Sequence, residues 1–192
     1  SASLDLNSSE YTRRVRASTD ERYSLRWADL PLPFVTDEAH VAPLMCHPDA
    51  SVRHCVSGLV FEFCGTADAT AILIGLTWDP DEDVRAGAAL SLGRRWVGGE
   101  IGPSVERLWE LVDDESRHVR AGAVAALVDL GERDAEPRVE AELRSATAAR
   151  KGHLYVFPLV NLALRRPELA PDDAHPSLAK LRRAMEERSS SP

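Results

Sequence analysis

Residues 79–90 read DPDEDVRAGAAL and residues 114–123 read DESRHVRAGA, so one pattern occurs twice in the chain. In both copies a Val-Arg pair begins five residues after an Asp. A weaker copy, HPDASVR, occupies residues 47–53 and has a histidine in place of the Asp. The Val-Arg pairs begin at Val52, Val84 and Val119, which are 32 and 35 residues apart. A period of that size indicates a stack of helical repeats.

The helix that follows each Val-Arg pair carries an apolar stripe in one register. Counted from the Val as position 0, positions 0, 4, 8 and 11 are apolar in the first and third copies, and the second copy departs only at its last position, Arg95. One helical hairpin cannot bury such a stripe, so neighbouring hairpins must stack on it. We therefore predict an all-α fold, a right-handed α-solenoid of about four hairpins, each made of a helix A and a helix B.

The solenoid is predicted to occupy residues 38–166 of the chain. Residues 1–37 are predicted to form an N-terminal helical cap, because their short helical segments end at Pro31 and Pro33. Residues 167–192 are predicted to form a C-terminal capping helix, amphipathic through Leu178, Leu181 and Met185, followed by a tail that frays.

Charge is distributed unevenly along the 192 residues, whose net charge is −8. Residues 79–142 contain 16 acidic and 8 basic side chains, so this segment carries the whole excess. An acidic surface opposes nucleic-acid binding, since that affinity comes chiefly from neutralised phosphates. The charge instead suits a basic protein as the partner, or simply keeps the chain soluble.

The location and cofactor content follow from what the sequence lacks. No stretch approaches the roughly 20 apolar residues of a membrane span, and no signal pattern begins the chain. Three cysteines without a Cys-x-x-Cys pair, Cys46, Cys55 and Cys64, indicate free thiols and a cytoplasmic protein. His40, His47 and His54 follow one another at intervals of seven residues, beside Cys46 and Cys55. Because Pro43 and Pro48 interrupt any continuous helix, we predict neither a metal site nor a cofactor.

The two strong copies of the pattern resemble the HEAT-like repeats of the family first noted in bilin lyases. The resemblance covers roughly residues 38–166 and is specific for the type of repeat, not for an activity. It implies a polar ladder along the inner turns, in which the Asp of one repeat meets the Arg of a neighbour. The ladder residues would be Asp79, Arg85, Asp114 and Arg120, together with Arg53 of the first copy, whose Asp position is taken by His47.

Enzymatic alternatives within HEAT-like proteins find little support in the residues. Metal-dependent hydroxylases carry His-Glu pairs, and this chain has no His-Glu dipeptide. No motif supports a bilin-lyase activity. A DNA-glycosylase-like function would use Trp96 with Arg94 and Arg95 near Asp129, but the acidic middle of the chain opposes it. The protein is therefore predicted not to be an enzyme.

The concave face, which the B helices line in this type of repeat, is the predicted binding surface. Position 10 of the register reads Glu62, Arg94, Asp129 and, if Val156 starts the fourth copy, Arg166. These alternating charges either contact a partner or pair with one another across repeats. Phe61 at position 9 is either an exposed aromatic anchor or buried against the N-terminal cap, and Trp96 lies just beyond the second B helix.

The predicted function is therefore a non-catalytic scaffold, adaptor or regulator that binds a partner protein through this face. An immunity-type inhibitor of a basic toxin is the alternative within the same class. Small residues early in the B helices, namely Gly58, Ala86, Gly87, Ala121 and Gly122, either permit close helix packing or leave a groove for the partner.

Overall fold

The structure is a computed structural model that describes residues 44–63, 67–94, 101–148 and 156–189, with the side chains at 59, 61–63, 67–68, 147–148 and 189 excluded. The predicted N-terminal cap and the residues around Trp96 lie outside these ranges. Within them the chain forms eight α-helices and no strand. The helices are α1 (Ala50–Phe63), α2 (Ala67–Leu76), α3 (Glu82–Leu92), α4 (Gly102–Leu111), α5 (Arg117–Leu130), α6 (Glu136–Ala148), α7 (Phe157–Arg165) and α8 (Pro176–Ser189).

The helices form two layers, as a solenoid requires. The B helices α1, α3, α5 and α7 pack on one another in chain order. The A helices α2, α4 and α6 form the second layer, and each packs on the B helix that follows it in the chain. Helix α8 packs on α7 at the end of the stack. The predicted all-α solenoid is thus confirmed.

Local capping explains where the B helices begin and end. The Asp81 side chain accepts hydrogen bonds from the amides of Asp83 and Val84 at the start of α3, and Ser116 accepts one from the amide of His118 at the start of α5. Helix α5 ends at Gly131, whose φ of 97° is a left-handed conformation that favours glycine.

The A helices are joined by a buried arginine. Arg107 on α4 donates through Nε to Thr77 Oγ1 at 2.7 Å and through Nη2 to the Thr77 carbonyl at 3.1 Å. Its guanidinium also lies 3.3 Å from the centre of the Trp78 ring, which is a cation–π contact. One side chain therefore ties the end of α2 to the next A helix.

Two of the later helices have distinctive features. Pro158 lies in the first turn of α7, where proline removes no intrahelical hydrogen bond. On α8 only Leu178 is buried, while Leu181 and Met185 are 37% and 52% exposed. The apolar stripe of α8 is therefore only partly covered by α7 and its neighbours. Within the described ranges, none of the helices is both long and apolar enough to cross a membrane.

Candidate interaction surface

The arginines of the Val-Arg pairs contact the next repeat through a repeated set of hydrogen bonds. Arg53 donates through Nε and Nη2 to the two carboxylate oxygens of Asp79, at 2.7 and 2.9 Å. Arg85 makes the same pair of bonds to Asp114, both at 3.1 Å. In each case Nη1 donates to two carbonyls of the arginine's own preceding turn. Each guanidinium therefore holds its own turn and the following turn together.

The third arginine finds a different acceptor. Arg120 donates through Nη1 to the carbonyls of Asp114 and Glu115, at 2.8 and 3.1 Å, as the pattern requires. Its Nε donates to Glu142 Oε1 on α6 at 3.2 Å, because the fourth repeat has no Asp in the ladder position. The ladder therefore ends on an A helix, and no motif in the sequence marked Glu142 as its last member.

His47 occupies the ladder position of the first repeat and makes one of the two contacts that an Asp makes there, namely that with the backbone amide two residues on. Its Nδ1 accepts the amide of Asp49 at 3.0 Å. The Asp79 carboxylate accepts the amide of Asp81 in the same way, at 2.9 Å. The imidazole thus closes the turn with a side chain that lacks the negative charge of an aspartate. His175 Nδ1 accepts the amide of Ser177 at 3.3 Å, so a second His-Pro turn is closed alike near the other end of the stack.

The name inner face is used here for five side chains on the B helices α5 and α7 or at the end of α3, namely Arg94, Asp129, Phe157, Asn161 and Arg165. All five are exposed. Arg165 Nη2 lies 3.1 and 3.4 Å from the two carboxylate oxygens of Asp129. The alternating charges at Asp129 and Arg165 are therefore paired across repeats, which was one of the two alternatives.

Arg166 does not belong to this row, so its assignment is corrected. Its Nη2 donates to Glu136 on α6 at 2.8 Å and its Nε to Glu168 at 2.9 Å, which directs the side chain towards the A helices. The error arose because the apolar pattern does not fix the start of the fourth copy, since Val156 and Val160 are buried as well as Leu159 and Ala163. The ion pair of Arg165 with Asp129 fits a start at residue 155, one residue before Val156. Position 10 is then Arg165.

Phe157 is an aromatic residue of the inner face that the sequence analysis missed. Its side chain is 58% exposed, more than any other large hydrophobic residue in the part of the chain that the structure describes. Phe157, Asn161 and Arg165 are four residues apart, so they lie along one face of α7. Neither register places Phe157 in the row of positions 9 and 10, so the sequence pattern gave no signal for it.

Three predicted members of the binding surface cannot be placed. Phe61 and Glu62 lie within α1, but their side chains are among those outside the described part of the structure. Trp96 lies outside the described residues altogether. Arg94, at the end of α3, is exposed as expected for the row.

A cavity of about 350 Å³ opens at the turn edge, where α1, α3 and α5 begin. Its polar lining consists of Ser51, His54, Cys55, Asp81, Asp83 and His118. His54 Nδ1 lies 2.8 Å from the carbonyl oxygen of Asp83, and His118 Nδ1 lies 2.9 Å from Asp83 Oδ1. One residue of the second repeat therefore contacts a histidine of the first and a histidine of the third.

The chemistry of this cavity does not suggest a nucleophile or a metal centre. Burial raises the pKa of the Cys55 thiol, and the negative charge of Asp49 raises it further, which disfavours the reactive thiolate. In the ranges given above, no three His, Cys, Asp or Glu side chains are arranged to hold a metal ion. What the arrangement offers is a set of hydrogen-bond acceptors.

Comparison with known proteins agrees with the architecture. The family model described as HEAT repeats matches residues 39–127 and residues 70–151, which together include all three Val-Arg pairs and most of the described helices. No curated protein and no solved structure matches the chain. Since the two matches together cover more than half of the sequence, the chain belongs to the HEAT repeat family.

Proposed function

We propose that this chain is a non-catalytic interaction scaffold or regulator that binds a partner protein through its inner face. HEAT repeats generally mediate protein–protein interactions. The observation that supports this face is the exposure of Phe157 beside Asn161 and Arg165. Aromatic residues and arginine dominate the binding energy of protein interfaces, and here they lie on one helix face.

The charges of the inner face can be rearranged by a partner at low cost. The side chains of Arg165 and Asp129 are 62% and 41% exposed, so their ion pair contributes at most about 1 kcal/mol. A partner can therefore replace either member of the pair with its own charge. The ladder arginines differ, because they are largely buried and committed to turn carbonyls and carboxylates.

The partner that suits this chain is a basic protein. Residues 79–142 carry 16 acidic side chains against 8 basic ones, and complementary charge raises association rates and selects against acidic partners. An adaptor and an inhibitor of a basic enzyme or toxin both fit the overall charge of this segment. The half-buried thiol of Cys55 is not in a disulfide, which suits a reducing compartment such as the cytoplasm.

Affinity capture with an inner-face variant tests the proposal. The partner captured by the wild-type chain is identified by mass spectrometry, and its affinity is then measured by calorimetry. Phe157→Ala combined with Arg165→Ala should weaken binding about 30-fold or more, as expected for a hot spot of about 2 kcal/mol. The circular dichroism spectrum should stay the same, since both side chains are exposed.

The matched control is Glu106→Ala, an exposed substitution on the A helix α4. It should leave the affinity within twofold of the wild type. Equal loss of affinity in the control and in the inner-face variant, or full affinity in the inner-face variant, would show that the partner binds elsewhere.

A further inference from the structure

The cavity at the turn edge is lined by groups whose hydrogen-bonding roles are fixed by their neighbours. His54 Nδ1 faces the carbonyl oxygen of Asp83, and His118 Nδ1 faces the carboxylate oxygen of the same residue. A carbonyl and a carboxylate can only accept, so both imidazoles carry a proton on Nδ1. In a neutral ring the second nitrogen, Nε2, is then an acceptor.

The carboxylates add further acceptors to the same wall. Asp81 and Asp83 both line the cavity, and Asp83 uses only Oδ1 for His118. The amides of Asp83 and Val84 in the first turn of α3 already donate to the Asp81 side chain, so these two donors are not available to bind an anion. The lining contains no arginine or lysine. Acceptors and negative charge therefore predominate.

The position of His54 is built into the packing between the first two repeats. A Cβ added at Gly87 would lie 2.8 Å from His54 Cε1 and 2.9 Å from its Nδ1, which is closer than real Cβ contacts. The imidazole therefore rests on the surface of α3 in a space that any side chain larger than glycine would fill. A larger residue at position 87 would force the His54 ring to shift and would so change this side of the cavity.

We propose that this cavity binds the guanidinium group of an arginine presented by the partner protein. A guanidinium is a planar cation with five N–H donors and no acceptor, so it complements a wall of imidazole nitrogens and carboxylates. A divalent metal ion also seeks such groups, but within the described helices no three of these ligands are placed to hold one. The nature of the presenting molecule rests on the proposed function, whereas the cavity itself can be tested with a small cation.

Titration with N-acetyl-L-argininamide, followed through the imidazole resonances of His54 and His118 by NMR, tests the site directly. We expect saturable shifts at both rings in the millimolar range. The neutral isostere N-acetyl-L-citrullinamide should bind at least tenfold more weakly, because it lacks the charge. Absence of saturable shifts, or equal affinity for the two compounds, would overturn the proposal, and stronger shifts with Zn²⁺ than with argininamide would assign the cavity to a metal instead.

Two variants separate charge from shape. Asp83→Asn removes the carboxylate charge but keeps an oxygen that accepts from His118, and it should weaken argininamide binding at least tenfold. Gly87→Ala leaves every charge in place but displaces the His54 ring, and it should weaken binding to a similar extent. Asp134→Asn, an exposed acidic residue outside the cavity, is the control and should bind like the wild type. Normal binding by both cavity variants would refute the assignment.

The outcomes distinguish this inference from the proposed function. If argininamide binding depends on Asp83 but the affinity for the partner is unchanged in the Phe157 variant, the cavity is a cation site and the inner face is not the partner's binding surface. If the affinity for the partner depends on Phe157 but argininamide does not bind, the inner face is the binding surface and the cavity is not a cation site.

Discussion

Arg53→Ala should lower the free energy of unfolding by about 3–5 kcal/mol, which is the range for removing one partner of a buried ion pair. The side chains of Arg53 and Asp79 are 4% and 0% exposed. The substitution removes two hydrogen bonds to Asp79 and two to the carbonyls of His47 and Pro48. The Asp79 charge then stays buried without its guanidinium partner. Urea denaturation followed by circular dichroism measures the loss.

The loss should decrease along the ladder because burial decreases. Arg85 and Asp114 are 10% and 13% exposed, and Arg120 and Glu142 are 20% and 17% exposed. We expect about 1–3 kcal/mol for Arg85→Ala, the range for hydrogen bonds to charged groups, and the smallest loss for Arg120→Ala. An equal loss at all three positions would show that the carbonyl contacts, which the three arginines share, outweigh the carboxylate contacts.

Two further substitutions isolate the buried charge at Asp79. Arg53→Met combined with Asp79→Asn keeps an acceptor for the Asp81 amide while removing both charges, so it should recover a large part of the stability lost in Arg53→Ala. Arg117→Ala, which removes an exposed arginine from the first turn of α5, should change stability by no more than about 0.5 kcal/mol. A wild-type free energy of unfolding for Arg53→Ala would mean that the ladder does not stabilise the stack.

The stacking of the helices could be predicted from the sequence because the same pattern occurs in several repeats. Each Val-Arg pair fixes the start of a B helix, and the apolar register that follows fixes which side is buried. Val84, Leu92, Val119 and Leu127, all predicted to face the core, are at most 1% exposed. The periodic pattern predicts the buried side because every repeat packs against its neighbours through the same helix face.

The last repeat could not be predicted in the same detail because its pattern is missing. Without an Asp and a Val-Arg pair, nothing in the sequence distinguished residue 155 from Val156 as the start of the fourth copy. A shift of one residue moves a helical side chain by about 100°, so it exchanged Arg166 for Arg165 in the charged row. Burial on α7 does not choose between the two registers, because Val156 and Val160 are buried too, and only the ion pair of Arg165 with Asp129 places Arg165 in the row.

The cavity was missed for a different reason. His54 was weighed as a metal ligand and His118 was not singled out, while the residue that contacts both is Asp83 of the middle repeat. Asp83 is 29 residues from His54 and 35 residues from His118, close to the period of the pattern. In a solenoid, residues one period apart are neighbours in space, so this separation was the available signal.

Gly93→Ala should destabilise the protein by about 2–3 kcal/mol, because an added Cβ would overpack the contact between α3 and α5. The Cβ would lie 2.4 Å from both Cα and Cβ of Ala126. The backbone of Gly93, with φ −73° and ψ −14°, suits alanine, so the cost is steric and not conformational. Thermal and urea denaturation should both show the loss.

Gly58→Ala is the matched control for this close approach, since its Cβ would meet nothing within 4 Å. Gly58 is exposed within α1, so alanine should raise stability by up to about 1 kcal/mol through helix propensity alone. Adding Ala126→Gly to Gly93→Ala should not restore stability, because the contact with the Ala126 Cα remains and a new glycine costs α5 about 1 kcal/mol. Full rescue by that double substitution would instead show that the methyl group of Ala126, and not the backbone of α5, sets the distance between the two helices.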